Sequence, residues 1–128
     1  MPLYWTIDSK TRLFSAVAEG EVSLGDAFDL LEALAGSGAL AYRKLFDGRE
    51  AVSTMAVDEL LALCAKIRSY HAKGTMGPLA LVASHGQTLL FARLLGALAS
   101  AKRPIKVFEN PRQARNWLEN QHLPQARV

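Results

Sequence analysis

The feature that most constrains this chain is an unbroken apolar run, Leu79–Ala83, which follows directly after Pro78. A strand with one face in water alternates apolar and polar residues, so a continuous apolar run of this length is typical of a strand buried on both faces. Such strands occur mainly in parallel sheets that are covered by helices. The run therefore predicts an α/β fold.

The rest of the chain alternates short strands with helices around this run. We expect strands at residues 4–8, 13–19, 42–46, 79–83 and 105–108, with Gly20 ending the second and the stretch 47–50 breaking the third. We expect helices that begin at Ser23, at Ser53 or Thr54, near Gly86 and after Asn110. The order ββαβαβαβα predicts a mainly parallel, mixed sheet of about five strands with four helices, whose first strand runs antiparallel at or near an edge.

The apolar residues of the second and third helices recur at helical spacing and predict which faces point inward. For the second helix the predicted inward residues are Val57, Leu60, Leu61, Cys64 and Ile67, and for the third they are Leu90, Phe91, Leu94 and Leu98. The third helix is apolar over more than one stripe, whereas a helix packed on one side needs a narrower face. The extra surface predicts a homodimer contact first and a lipid-like ligand second.

Length and composition predict one domain over residues 1–128, with a core at about 4–120 and a short C-terminal tail. The single cysteine, Cys64, excludes an internal disulfide and a cysteine-rich zinc site. No two histidines have ligand spacing, so we predict no metal, and no motif indicates a cofactor. No signal peptide or apolar stretch long enough to span a membrane is visible, so we expect a cytoplasmic protein that does not cross a membrane.

Charge is divided unevenly along the chain. Residues 1–64 carry 5 basic and 10 acidic side chains, whereas residues 65–128 carry 10 basic and 2 acidic ones. Such asymmetry can mark an anionic partner, or the two halves can neutralise each other in the fold. The basic residues are scattered and have no interleaved aromatics, so we predict no nucleic-acid partner.

Taken together, the leading hairpin, the strand ending at 44–49, the hydroxyl-capped second helix and the closing segment 107–118 resemble the SpoIIAA-like proteins. That group is similar to STAS domains, the fold of bacterial anti-sigma-factor antagonists, and overlaps the CRAL-TRIO-like architecture. The resemblance covers about residues 4–120. It implies a regulatory or protein-interaction module, and several STAS domains sense small ligands or nucleotides.

The resemblance also raises the question of phosphorylation. Anti-sigma antagonists are phosphorylated on a serine at the start of the second helix, in an Asp-Ser-Ser-Gly-like turn. That turn is absent from this chain, and the nearest hydroxyls belong to Ser53 and Thr54. These two residues are therefore the candidates for phosphorylation.

A candidate site follows from the predicted topology, because ligands of open parallel sheets lie beyond the carboxyl ends of the strands. We predict no catalytic residue there. The polar residues expected at this rim, as contacts for a ligand or a partner, are Asp47, Arg49, Ser53, Thr54, Ser84 and His85.

Three functions follow, in decreasing order of support. The first is a non-enzymatic regulatory or protein-interaction module, and the second is a binder or carrier of a small apolar, lipid-like ligand. The third is a small hydrolase that uses Ser84 and His85. The hydrolase is remote, because a nucleophile elbow needs glycine two residues before the serine and position 82 is valine.

Overall fold

The computed structural model describes residues 3–53, 55–84, 86–99 and 103–121. Five strands and four helices alternate as the sequence predicts. The strands are β1 (Leu3–Asp8), β2 (Leu13–Val22), β3 (Arg43–Ser53), β4 (Leu79–Val82) and β5 (Ile105–Phe108). The helices are α1 (Leu24–Gly36), α2 (Val57–Ser69), α3 (Gly86–Ala99) and α4 (Pro111–Glu119), with a short 3-10 turn at Tyr70–Ala72 after α2.

The strands form one mixed sheet in the order β1-β2-β3-β4-β5. β1 lies at an edge and pairs antiparallel with β2, whereas β2 to β5 pair parallel in succession. This confirms the predicted fold class, including the side-by-side parallel arrangement of the strands that begin near positions 42, 79 and 105. Their carboxyl ends consequently lie along one rim of the sheet.

Two strands are longer than the sequence predicts. Gly20 does not end β2, and the stretch 47–50 does not break β3, because the two strands remain paired to Val22 and Ser53. The register shifts between Val17 and Glu19, so a bulge accommodates the change in direction. β4 pairs with β3 only as far as Asp47, and β2 and β3 continue past it as a two-stranded ribbon.

The starts of the helices test the N-caps predicted from the sequence. Ser23 caps α1 in a capping box with Asp26, and Asn110 caps α4 by accepting from the Arg112 and Gln113 amides, both as predicted. The predicted cap of α2 is wrong. That helix begins after Ala56, where the Glu59 carboxylate accepts the Ala56 amide at 3.1 Å. Ser53 is the last residue of β3 instead.

Helices α1, α2 and α3 cover one face of the sheet, and α4 covers part of the other. α2 lies between α1 and α3, and a Lys66–Glu32 ion pair of 2.8 Å links it to α1 and joins the basic half of the chain to the acidic half. On the opposite face, α4 packs through Leu118 and Trp117, whose ring lies 5.7 Å from that of Phe108.

The inward faces of α2 and α3 differ in part from the prediction. Val57 and Leu61 point outward, and Leu63 is buried in their place beside Leu60, Cys64 and Ile67. On α3, Leu90 and Leu94 are exposed, while Phe91 packs inward and the side chain of Leu98 lies outside the described residues. Close packing explains this orientation of α3. A Cβ on Gly96 would lie 3.4 Å from the Ile105 side chain, so the side of α3 that carries small residues faces the sheet.

Two further observations concern the sequence expectations. Cys64 is fully buried, and burial raises the pKa of its thiol, in accord with its reading as a small hydrophobic residue. Across the described ranges, no helix combines the length and apolar character needed to cross a membrane.

Candidate functional site

The rim predicted from the topology exists, and it brings three of the candidate side chains together. Asp47 accepts from the Arg49 side chain at 2.8 and 3.0 Å and from the Arg49 amide at 3.1 Å. The Ser84 hydroxyl, from the loop after β4, donates to the Arg49 carbonyl at 3.4 Å. These groups largely satisfy one another, so the rim is a polar cluster built from local contacts.

Asp47 and Arg49 form an ordinary surface ion pair at the rim. Partial burial alone would raise the pKa of Asp47, but the hydrogen bonds from Arg49 hold that pKa below its usual value. The same bonds raise the pKa of Arg49. The Arg49 side chain remains 44% exposed to solvent, where an ion pair contributes little to stability.

Of the other three candidates, the structure describes only the backbone of Ser53, which lies away from this cluster. Ser53 stands six residues beyond Asp47 on the extended β3, a separation of about 20 Å along a strand. Its side chain, Thr54 and His85 lie outside the described residues. Phosphorylation of Ser53 or Thr54 stays a prediction, although the expected helix cap that motivated it is wrong.

A second region, which we call the cavity, lies between the sheet and helices α1 to α3. It has a volume of about 120 Å³. Its wall is apolar except for Lys44 and Arg103. The apolar wall comes from the helix-facing sides of the strands and from the three helices, for example Phe14, Leu34, Leu63, Leu81 and Phe91.

An adjoining chamber of about 70 Å³ extends the cavity toward the β2–β3 ribbon. Gly48, Ala51 and Val52 of β3 line it on one side, and Ala92 of α3 lines it on the other. The two spaces share part of their wall, namely Val22, Phe46, Met55, Leu81, Phe91 and Leu95. The rim and the cavity therefore meet at β3, where Gly48 separates Asp47 from Arg49.

Lys44 is one of two buried charged residues in the described part of the chain, with 4% of its surface exposed. Its Nζ lies 2.5, 2.9 and 3.4 Å from the carbonyl oxygens of Leu40, Tyr42 and Gly77, to which it donates hydrogen bonds. Burial, together with the positive charge of Arg103, lowers the pKa of Lys44 to about 6. Lys44 is therefore mostly a neutral amine at pH 7.

Arg103 is the other buried charge, with 6% exposed. Its guanidinium donates to the Gly77 carbonyl at 3.1 Å, so Lys44 and Arg103 share an acceptor. Burial lowers its pKa to about 10, which leaves it charged at neutral pH. Its Nε has no hydrogen-bond partner in the described part of the chain. Within the same residues, neither Lys44 nor Arg103 forms an ion pair with a carboxylate.

Gly77 makes this arrangement possible. A Cβ at this position would collide with the carbonyl oxygen of Tyr42 and lie 2.5 Å from that of Ala41. The Gly77 amide donates to Leu40 at 2.8 Å, which closes the contact. Only glycine permits so close an approach of two backbone segments, and the approach gathers the three carbonyls that receive Lys44.

The sequence analysis missed both cations, although one signal was available. Lys44 is two residues before Phe46 in β3, so the period of two places it on the same face as that inward aromatic. Arg103 precedes β5 outside any periodic pattern, so the sequence carries no comparable signal for it. Among the described residues, no group of three or more histidine, cysteine or acidic side chains could hold a metal.

Five strands in this order, with three helices on one face and one on the other, form a mixed α/β fold. A crystal structure with the same fold is that of an uncharacterized DUF3478-family protein with a SpoIIAA-like fold from Shewanella loihica PV-4. It is 18% identical, with a TM-score of 0.61, and the match covers 91% of this chain and 93% of the other. The chain thus has a SpoIIAA-like fold, as its resemblance implies. No family model matches the sequence, and no curated protein is significantly similar to it.

Proposed function

We propose that this STAS-like module is a non-enzymatic binding protein that holds a small apolar ligand in the cavity. The observation that carries the proposal is the volume of about 120 Å³ behind an almost wholly apolar wall. Well-packed interiors contain few voids larger than a water molecule. An apolar cavity of roughly 150 Å³ stays dry and binds benzene, so this one is of a size to receive a short apolar molecule.

The placement of α2 accounts for the space. The helix contacts α1 and α3 on either side, and its buried residues Leu63 and Ile67 form the roof over the sheet. α2 therefore packs between α1 and α3, and the cavity lies between it and the sheet. The polar rim groups, by contrast, are engaged with one another, which supports a binding role over a catalytic one.

The test is a titration with 1-octanol, a neutral probe of about the right size, followed by calorimetry and by NMR shifts of cavity methyl groups. We expect saturable one-to-one binding to the wild-type protein. Ala27→Leu adds bulk to the cavity wall from α1 and should weaken binding by about tenfold, because the added methyl groups occupy the same space.

Ala62→Leu is the matched control, because Ala62 is an exposed residue of α2 and the same substitution there adds no bulk to the cavity. It should leave the affinity unchanged. No saturable binding by the wild-type protein, or equal affinities for Ala27→Leu and wild type, would overturn the proposal. Native mass spectrometry of protein purified from cells would reveal a ligand carried through purification.

A protein-interaction role is the second candidate, and one observation favours it. Four large apolar side chains are exposed on the neighbouring helices α2 and α3: Val57, Leu61, Leu90 and Leu94. Exposed apolar surface of this kind marks interaction sites when it is contiguous. The homodimer predicted from the third helix would use this surface, and sedimentation of wild type against Leu90→Lys tests it. A wild-type protein that is monomeric at high concentration would overturn the dimer.

A further inference from the structure

The two edge strands of the sheet, β1 and β5, differ in how they are protected. β5 is packed against α3 and α4, whereas among the described elements only β2 packs extensively against β1. We infer that the outer edge of β1 pairs antiparallel with β1 of a second copy of this chain, so that two five-stranded sheets join into one. This surface is separate from the cavity and from the exposed apolar side chains of α2 and α3.

The first argument is the open backbone of β1. An edge strand presents unpaired N–H and C=O groups, and proteins protect such edges with short strands, lysine, proline or bulges. β5 has two of these features, because it is four residues long and carries Lys106 within it. β1 is six residues long, contains no proline or lysine, and pairs with β2 without a shift in register. Its outer edge is therefore free to accept another strand.

The second argument is the apolar surface beside that edge. Tyr4 is 51% exposed on one face of β1 and Ile7 is 40% exposed on the other, since successive side chains of a strand alternate between faces. Tyr4 lies opposite Val17 of β2, which is also exposed because α4 packs farther along the sheet, on β3 to β5. A strand added at this edge would remove apolar surface from water on both faces.

The third argument is the fit of β1 to itself. A twofold axis perpendicular to the sheet keeps each face on the same side, so residues pair with residues of the same face. With the axis at Trp5, this residue meets its own copy, Leu3 meets Ile7, and Tyr4 meets Thr6. Aromatic, aliphatic and β-branched side chains of this kind stabilise antiparallel sheets when they lie opposite one another.

Charge also favours a second copy over a charged partner. Residues Leu3–Ile7 carry no charge, and Asp8 lies beyond these pairs. The Asp8 carboxylate accepts from the amides of Lys10 and Thr11 at 2.9 and 3.2 Å, so it is engaged in its own turn. Two copies therefore meet without repulsion between like charges. The paired segment is short for a stable interface, so the dissociation constant should be about 10–100 μM.

The test is sedimentation equilibrium of the wild-type protein from about 5 μM to about 1 mM, which spans that range. Ile7→Lys places an ammonium group at the apolar edge and should weaken dimerisation at least about tenfold. Val52→Lys is the matched control. Val52 is also an exposed aliphatic residue of a strand, but it pairs with Glu21, beyond the part of β2 that β1 reaches. It should leave dimerisation unchanged.

Amide hydrogen exchange of the wild-type protein locates the interface without any variant. Exchange within residues 3–8 should slow as the protein concentration rises, because pairing protects the outer amides of β1. Exchange within residues 105–108, at the opposite edge, should not change with concentration. This comparison decides the question even if Ile7→Lys does not fold.

Several outcomes would overturn the inference. These are a wild-type protein that stays monomeric up to about 1 mM, and a dimer whose β1 amides exchange at the same rate at every concentration. A dimer that Leu90→Lys abolishes and Ile7→Lys leaves intact would place the interface on α2 and α3 instead. The 1-octanol titration is independent of these results, because a monomer that binds 1-octanol removes the β1 dimer and keeps the binding function.

Discussion

At the rim, Asp47 and Arg49 neutralise each other within hydrogen-bond distance and remain partly in water. Next to the cavity, Lys44 and Arg103 are buried and share the Gly77 carbonyl, and no acidic side chain among the described residues pairs with either of them. A surface ion pair is weak because water screens it, whereas an unbalanced buried charge is expensive and persists only where the surrounding structure holds it. The interior is therefore a better candidate for a binding site than the rim that the topology predicts.

The largest effect should come from breaking the backbone contact that holds the two cations. Gly77→Ala would press a methyl group against the carbonyls of Tyr42 and Ala41, so the two segments must separate. We expect a loss of about 4 kcal/mol in the free energy of unfolding, measured in urea. Gly36→Ala, at the end of α1 with open space around its Cβ, should be neutral or stabilising by up to about 1 kcal/mol. Equal stabilities of the two variants would contradict this account.

A second prediction tests which leucine of α2 lines the cavity. Leu63 is 5% exposed and lines the cavity, whereas Leu61 on the same helix is 50% exposed. Leu63→Ala should therefore cost about 3 kcal/mol, from lost burial and a larger void. Leu61→Ala should cost less than about 0.5 kcal/mol. Thermal and urea unfolding of the pair would check the assignment, which fails if the two variants are equally destabilised.

The third prediction concerns pH and the buried amine. The pKa of Lys44 is about 6 in the folded protein and near 10.4 in an unfolded chain. Between these values the unfolded state binds more protons, so stability should rise with pH, by up to about 1.4 kcal/mol per pH unit. Unfolding in urea from pH 6.5 to 8.5 should show this slope in the difference between wild type and Lys44→Met.

The control for that slope is Lys10→Met, because Lys10 is exposed in the β1–β2 turn. Its unfolding should follow the wild-type pH dependence. A difference between wild type and Lys44→Met that stays constant from pH 6.5 to 8.5 would mean that Lys44 is protonated in both the folded and the unfolded state, and it would contradict this account.

The smallest effect belongs to the rim. Arg49→Met removes the ion pair with Asp47 but buries no charge, so it should change stability by less than about 1 kcal/mol. That small change should shrink further in 1 M salt, which screens exposed charges. A loss above about 2 kcal/mol would mean that the rim is a structural network and would remove the contrast with the cavity.

The sequence predicts the fold well because its signals are local. The apolar run at 79–83, the capping box at Ser23 and the Asn110 cap each report a single element, and together they set the order. The errors concern features that depend on tertiary contacts. Gly48 looks like the end of a strand, yet β3 continues because β2 remains beside it and supplies hydrogen-bond partners.

The candidate site divides in the same way. Asp47, Arg49 and Ser84 could be placed together because parallel strands share a rim. The wide apolar surface of α3 already suggests a lipid-like ligand, but the residues that line the cavity could not be predicted, since they depend on how the helices pack on the sheet and on the approach of Gly77 to residues 40–42. The periodicity of the sequence indicates neither of these tertiary contacts. Helix periodicity could have separated Leu61 from Leu63, because Leu60, Leu63, Cys64 and Ile67 follow the i, i+3, i+4, i+7 spacing of one helix face and Leu61 does not.

The burial of Lys44 beside Arg103 also alters how basic the protein is. The formal charge of +3 counts this residue as an ammonium ion, but in the native molecule at neutral pH it is mostly an uncharged amine. Native isoelectric focusing should therefore give a lower isoelectric point than focusing in urea.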